Sequence, residues 1–438
     1  MRAIMLTLLI FLASFSGCFG EPPEDVQAKL SIDPIEQAIR GQVMSIHVES
    51  NIEWTVNRSA GLFFIDDDGV FRDDLEMTYP SEVEDIEILV LDSERADIEL
   101  IITAGDESEN ITMQLVDSDE MMIVDGRRAF DTIDMLTTDW NNRWCASADQ
   151  GIPGIGSNYE AAAEAMKTIW DDYGFDLVEV TRYDDDPNQI NVVGYKYGNV
   201  YPDQYIILGG HFDVGYVATP PGGGTTEGAN DDTSGSTVSM EVAQAIASRE
   251  WDHTVVAALW ACEEEGLLGS AAFVDHLPED KAVKAYLNFD MVSLNYPIIP
   301  PPGYGPYDLS IATAGAHDEN LSVMLEWVRL VVEDEMNFHD VASNDIYWQA
   351  AESCASDHCS FFTSGYATFN FFSAGGDASF WQEWHSPTDT LDFMVGKAGG
   401  EDELGDGFNT LVWTAFCLFV HVDNTDDSFQ GRWYTGDE

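Results

Sequence analysis

Residues 205–261 read YIILGGHFDVGYVATPPGGGTTEGANDDTSGSTVSMEVAQAIASREWDHTVVAALWA, and this stretch decides the fold. Tyr205 to Leu208 is a short apolar run closed by Gly209-Gly210. Ser236 to Ser248 has helical period, with Val238, Val242 and Ile246 on one face. Thr254 to Ala261 is apolar throughout, the pattern of a strand covered on both sides. Strand, helix and buried strand in succession predict an α/β layer fold with a largely parallel sheet.

The same texture extends outward from there. Asn158 to Tyr173 reads as an amphipathic helix, Ala285 to Phe289 as a strand and Asn320 to Asp334 as a further helix. Upstream, Ala28 to Asp117 has period two. Ile46 and Val48, Trp54 and Val56, Ile86 and Ile88, and Ile111, Met113 and Leu115 alternate with polar neighbours. Acidic and Gly turns separate these runs, so a small immunoglobulin-like β-sandwich is expected, acting as a spacer or binding module. The fold expectation is therefore a mixed, mostly parallel sheet flanked by helices, preceded by an all-β sandwich. The boundaries are a leader at 1–18, a tether at 19–27, the sandwich at 28–118, the α/β domain at 121–428 and an acidic tail at 429–438.

A chain of 438 residues with 45% hydrophobic side chains can bury a large core. It carries 80 acidic against 18 basic side chains. Such a surface repels phosphates and anionic bilayers, so nucleic acid is excluded as a partner, and so is direct binding of the body to membranes. The charge itself reads as adaptation to a salty medium, where cations screen self-repulsion. The alternative is selection of cationic substrates.

Arg2 and the apolar run Ala3 to Phe15 have the form of an export signal, too short to span a bilayer comfortably. Phe15-Ser16-Gly17-Cys18 resembles the lipobox of lipoproteins, although Phe15 stands where Leu is preferred. The expected location is outside the cytoplasm, secreted or anchored by a lipidated Cys18. The remaining cysteines are Cys145, Cys262, Cys354, Cys359 and Cys417. An odd number leaves at least one unpaired in a monomer. Cys354 and Cys359 are near enough for a local bridge, and Cys262, ending an apolar run, is expected to be a buried free thiol. Asn57, Asn110 and Asn320 lie in N-x-S/T sequons.

Acidic and histidine side chains gather just past the ends of the apolar runs, where α/β folds place their sites. His211 and Asp213 follow Gly209-Gly210. Asp231 and Asp232 precede the helix at 236, and Glu263, Glu264 and Glu265 follow Cys262. Asp290 ends the run through Leu287, and His385 and Asp389 lie in WHSPTD at 384–389. Nitrogen and carboxylate oxygen are zinc donors. Two close ions need one bridging carboxylate with flanking ligands, and two His with three acids meet that demand. A further free carboxylate must move the water's proton to the leaving amine, and adjacent Glu263 and Glu264 can divide those tasks. Each motif alone is weak. An HxD is usually a capping turn, and a Glu run in so acidic a chain is usually solvated.

Together, GGHFD, GANDDTSGS, CEEEGLLGS, NFDM, SDHCSF and WHSPTD resemble the zinc aminopeptidase family that includes bacterial leucyl aminopeptidases, glutamate carboxypeptidases and glutaminyl cyclases. The resemblance covers roughly residues 125–425 and follows the family's order. It implies two Zn2+ ions, other divalent metals being tolerated. By that resemblance His211 and Asp290 hold one ion, Glu264 and His385 the other, and Asp231 bridges, with Asp232 as the competing bridge. Glu263 is general base and then acid. Asp213 orients His211, Asp389 supports His385, and Asp357 and His358 border the substrate pocket. Glu265 is expected at the rim. His253, His276, His317 and His339 are expected to be ordinary histidines, and Pro297 to Pro306 a rigid loop. The implied activity is aminopeptidase action on peptides. Carboxypeptidase action would require a cationic receptor, and no Arg lies between His211 and Arg249. A glutaminyl cyclase-like transferase and a lapsed peptidase kept as a binding module compete with it from further away.

Overall fold

A computed structural model describes residues 27–58, 62–90, 97–116, 123–125, 127–145, 154–183, 186–217, 226–292, 309–314, 324–326, 328–330, 332, 346–350, 354–373 and 383–425. The leader, nearly all of the tether, the acidic tail, Pro297 to Pro306, Asn320, His317 and His339 lie outside the described residues. Of the helix expected at 320–334, residues 324–326, 328–330 and 332 are described, and they are helical.

The main sheet has eight strands in the order β11-β12-β14-β13-β15-β18-β16-β17. They are β11 Leu177–Tyr183, β12 Asp186–Lys196, β13 Tyr201–His211, β14 His253–Trp260, β15 Ala282–Phe289, β16 Leu309–Ala314, β17 Ile346–Ala350 and β18 Thr368–Ser373. The central four, β14-β13-β15-β18, are parallel. β12 runs antiparallel to β14, and β16 antiparallel to β18. This is the mixed, largely parallel sheet that the alternating pattern predicts.

Helices cover both faces. α1 Arg128–Thr138, α2 Tyr159–Asp171, α3 Ser234–Ala247 and α7 Glu401–Asp423 share one core with Ile206, Leu208, Val255, Ala257 and Leu259. α4 Leu268–Asp275 and α5 His358–Thr363 lie over the other face. There Tyr205, Ile207, Val256, Ala258 and Trp260 meet Phe273 and Phe361. Successive strand residues point to opposite faces, so every residue of β14 is buried. α6 Leu391–Ala398 is bounded by its sequence. The Thr390 side chain accepts the Phe393 amide at 3.3 Å, and Gly399 closes the helix at φ 104°. The long α7 opens with Glu401, Asp402 and Glu403, which complement its N-terminal dipole.

The N-terminal region is a sandwich of two five-stranded sheets. One runs β1 Leu30–Ile32, β3 Val43–Ser50, β8 Asp85–Val90, β5 Leu62–Ile65 and β6 Phe71–Arg72. The other runs β2 Gln37–Ile39, β10 Glu107–Val116, β9 Asp97–Ala104, β4 Trp54–Arg58 and β7 Glu76–Tyr79. Strand β5 is buried at all four positions. Leu62 and Phe64 enter the sandwich core, while Phe63 and Ile65 enter the core of the α/β region with Phe71 and Leu89. Phe71 packs on Trp251 and Phe416 at ring-centroid distances of 5.6 and 5.3 Å. Arg72 ties the seam, pairing with Asp252 at 2.6 Å and Asp66 at 2.7 Å. His253 is buried here, 3.0 Å from Asp423, as an ordinary core histidine would be. The outer face of this sheet is therefore an internal seam rather than a free surface.

Cys262 departs from expectation. It is disulfide-bonded to Cys145, with 5.2 Å between Cα atoms. The loop after α1 folds back 117 positions to reach it, and no local pattern reports such a closure. Cys354 pairs with Cys359, and Cys417 is buried and in neither disulfide.

Candidate metal centre

Register brings the acidic and histidine residues together. In the parallel ladders His211 pairs with Trp260, and Gly209 with Asn288. His211 therefore ends its strand beside the start of the Glu263-Glu264 loop and level with Asp290, two residues beyond Asn288. The turn Ala229–Thr233 that leads into α3 lies against the same strand ends. Close approach there needs glycine. A Cβ on Gly210 would stand 2.6 Å from the Phe289 carbonyl and 2.9 Å from Asp232 Oδ2, and one on Gly235 would stand 2.3 Å from that carbonyl.

Two donor groups result, each with ligand atoms within 4.8 Å of one another: His211, Asp231 and Asp290, and Asp231, Glu264 and His385. Asp231 is common to both. Its Oδ1 lies 3.4 Å from His211 Nε2 and its Oδ2 3.3 Å from His385 Nε2. Glu264 Oε2 is 2.7 Å from His385 Nε2, and Asp290 Oδ1 is 3.9 Å from His211 Nε2. Ligands about 2.1 Å from a tetrahedral zinc stand about 3.4 Å apart, which the 3.4 and 3.3 Å separations at Asp231 match, while Glu264 and His385 at 2.7 Å are in direct hydrogen-bond contact. His211 Nε2 and Glu264 Oε1 are buried with no hydrogen-bond partner, as open ligand positions would be. The donor set, nitrogen and carboxylate oxygen, fits zinc.

Asp232 is held elsewhere. Its Oδ1 accepts the amides of Gly235 at 2.9 Å and Met291 at 3.0 Å and its Oδ2 stands 3.9 Å from His211 Nε2, and it belongs to neither donor group. Asp213 accepts the amides of Glu263 at 3.1 Å and Glu264 at 3.4 Å, so it holds the neighbouring loop as well as standing 3.4 Å from His211 Nδ1. The closer partner of that ring nitrogen is the Asp213 backbone carbonyl at 3.0 Å, to which Nδ1–H donates, aiming Nε2 at the site. Asp389, expected to support His385, holds the Asp231 turn. Its carboxylate accepts the amides of Asn230 at 2.9 Å and Asp231 at 3.1 Å, so its support reaches the Asp231 backbone. Asp357 and His358, expected at the pocket wall, are buried. Asp357 precedes α5 without a capping side-chain bond and accepts from Ser270 Oγ at 2.5 Å. Glu265 is partly buried.

Electrostatics follow from crowding. Burial raises the Glu264 carboxyl to about 7, and nearby Asp231 adds to this. Burial likewise pushes Glu263 well above the carboxylate range and Asp357 to about 7. Burial opposes a charge on His385, but its bonds to Asp231 and Glu264 outweigh that and raise it to about 10. Asp231 is held below the usual range because the two histidines offset its burial. So many acids in one place suit a cation, whose binding releases protons. The ligand side chains grade from 1% exposed at His211 to 42% at His385, so the centre opens on the His385 side. There Trp384, 45% exposed, stacks on the His385 ring at 3.9 Å.

Cys262, Leu267, Met291 and His385 have positive φ without being glycine. Such backbone costs about 1–2 kcal/mol per residue and gathers at functional sites. Sequence reading missed Arg143, which is fully buried behind His211 and Thr233, and Asn288, which bonds Ser356 and Asn370 beneath Asp290. No local signal marks either one.

Residues 191–399 match the sequence profile of peptidase family M28. The chain is 34% identical over 149 residues to an aminopeptidase of Pseudomonas aeruginosa, covering 33% of this chain and 25% of that one. It is 36% identical over 113 residues to a glutamate carboxypeptidase 2 homolog of Caenorhabditis elegans, covering 24% of this chain and 13% of that one. It thus spans a quarter or less of the length of these curated relatives. Among solved structures, a leucine aminopeptidase precursor from Bacteroides thetaiotaomicron aligns with a TM-score of 0.47 and 14% identity, over 67% of this chain and 97% of that one. The resemblance carried by the motifs is to this group of metallopeptidases.

Proposed function

We propose, from the match of residues 191–399 to peptidase family M28, that this chain is a metal-dependent exopeptidase that removes N-terminal residues from peptides at a two-zinc centre. The observation that carries the reading is Asp231, whose two oxygens face His211 and His385 separately and belong to both donor groups. His211 and Asp290 would hold one ion, Glu264 and His385 the other, with Asp231 between. Bound zinc supplies a Lewis acid for the scissile carbonyl and water acidified to a pKa of about 7.

Glu263 has the position of the proton carrier. Its Oε2 lies 3.9 Å from His211 Nε2, yet Glu263 is in neither donor group, so its carboxylate is free. Burial raises its proton affinity, which suits a group that takes a proton from water and returns it to the leaving amine. Asp213 holds the Glu263 and Glu264 amides, and Asp389 those of Asn230 and Asp231, so both carboxylate loops keep their spacing. A substrate ammonium is favoured beside Asp231, Glu263 and Glu264. Among the described residues the buried guanidinium beside these loops is that of Arg143, which is engaged with backbone carbonyls and Thr233 Oγ1 and so cannot serve as a carboxylate receptor. Trp384 offers an apolar platform at the open side for the terminal side chain.

Export belongs to the same proposal. Two disulfides suit an oxidising compartment, and residues 1–18 have the form of a leader that would leave the protein secreted or anchored through lipidated Cys18. The mass of the mature N-terminus tests this directly. The likeness to a glutamate carboxypeptidase homolog favours a second reading, release of C-terminal residues. Elemental analysis with a panel of aminoacyl amides and N-blocked peptides, before and after chelation, separates the two. About two zinc ions per chain with chelator-sensitive release of N-terminal amino acids supports the first. Cleavage of N-blocked peptides alone would replace it, and neither metal nor cleavage would point to a binding module.

A further inference from the structure

The segment Asn142–Cys145, which follows α1, carries no ligand and has no place in the reaction above. Yet it reaches three of the segments that supply one, those of His211, Asp231 and Glu264. The Asn142 backbone amide donates to the Thr226 carbonyl at 2.8 Å, and its side-chain oxygen accepts the Thr226 amide at 2.8 Å, at the entry to the Asp231 turn. Arg143 is completely buried. Its Nε donates to the Phe212 carbonyl at 2.7 Å, between His211 and Asp213. Nη2 donates to Thr233 Oγ1 at 2.6 Å, two residues past Asp231. Nη1 donates to the carbonyls of Leu136 at 2.8 Å and Trp140 at 2.7 Å, which anchors the guanidinium to the end of α1. Cys145 is bonded to Cys262, the residue before Glu263 and Glu264.

Physical cost makes this placement informative. Taking a guanidinium out of water costs several kcal/mol unless its bonds and countercharges are well placed. Here the nearby carboxylates of Asp213 and Asp232 supply the countercharge, and burial still lowers the guanidinium to about 10. Asp213 in turn accepts the Glu263 and Glu264 amides, and Asp232 those of Gly235 and Met291. Asn142 also has positive φ, at 58°. Among the described residues every non-glycine residue of positive φ therefore lies in a ligand loop or in this segment.

We infer that Asn142–Cys145 is a positioning brace for the metal centre. Arg143 sets the spacing between the His211 end of β13 and the Asp231 turn, and the Cys145–Cys262 disulfide pins the Glu263-Glu264 loop to the same segment. Arg143 touches neither substrate nor metal and acts only through the groups it holds. The inference rests on the two-zinc reading, because spacing matters only if the loops share a cluster.

Zinc titration by calorimetry on the full-length, chelated and reloaded protein in high salt tests it without any substrate. Arg143→Met fills the space but removes the bonds, so both zinc affinities fall by roughly 10- to 100-fold, the range for lost outer support of ligands. Arg143→Lys recovers part of that affinity, since one ammonium can hold Phe212 or Thr233 but not both. Cys145→Ala/Cys262→Ala weakens the Glu264–His385 ion more than the other. In turnover, kcat falls while KM changes little. Circular dichroism and the melting temperature identify which variants are folded. A folded Arg143→Met that binds both ions with wild-type affinity overturns the brace. If Arg143→Met does not fold, equal loss of both ions, or of neither, in the cysteine pair overturns it. Wild-type protein that binds no zinc overturns the metal reading and the brace with it.

Discussion

Replacing Phe71 by alanine tests whether the sandwich and the α/β region form one cooperative unit. Phe71 belongs to β6 of the sandwich, but its ring is fully buried among α/β side chains. It lies 5.6 Å from Trp251 and 5.3 Å from Phe416, with the Arg249 guanidinium 5.8 Å above it. Deleting a buried phenylalanine costs about 3–5 kcal/mol from lost transfer energy and the cavity left behind. The two aromatic pairs account for about 0.5–1.5 kcal/mol each within that. Against a total stability of about 5–15 kcal/mol, the loss is a large fraction. Hydrogen exchange at high salt reads it in two places, the amides of β9 deep in the sandwich and those of β14 in the central sheet. Because the ring joins the two regions, protection is expected to fall at both by a similar amount. Unchanged protection in β14 with a loss confined to β9 would refute the single unit and return the sandwich to the role of an independent spacer.

Three further outcomes follow from the site and the surface. Glu263→Gln keeps the donor groups intact, so metal content is retained while kcat falls by roughly 10²- to 10⁴-fold, the contribution of a positioned proton carrier; retained turnover removes Glu263 from that role. In chelated protein, Asp357 is raised by burial to about 7 from an ordinary 3.8, so the folded state binds the proton more tightly and stability declines as pH rises through that window. Asp357→Asn, which still accepts from Ser270, should melt with wild type below pH 4 and gain up to about 4 kcal/mol over it by pH 8, and a difference that does not vary with pH refutes the burial account. With a formal charge of −62, the protein should lose stability as salt is withdrawn, and equal melting in low and high salt would contradict the salt-adapted surface.

The amino-acid order by itself determined the layer architecture and the identities of the residues that converge. A strand buried on both faces must be largely apolar, as β14 is from Val255 to Trp260, and a half-covered strand must alternate, as β9 does with Ile98, Leu100, Ile102 and Ala104 buried. Strand ends are marked where apolar runs stop at Gly209-Gly210, Cys262 and Asp290, and α/β sheets gather their chemistry at those ends. Element boundaries were blurred because periodicity is silent at the ends. β13 begins at Tyr201 rather than Tyr205, and α3 at Ser234 rather than Ser236. Only the tertiary structure decided that Asp231, rather than Asp232, faces both histidines, because the choice rests on which carboxylate the Gly235 and Met291 amides capture. It alone paired Cys262 with Cys145, sent Asp389 to the Asn230 and Asp231 amides and buried Arg143 behind the ligands. It also turned Phe63 and Phe71 into the α/β core instead of to solvent. Periodicity records that a side chain is covered, but a covering partner a hundred or more positions away leaves no mark on its neighbours.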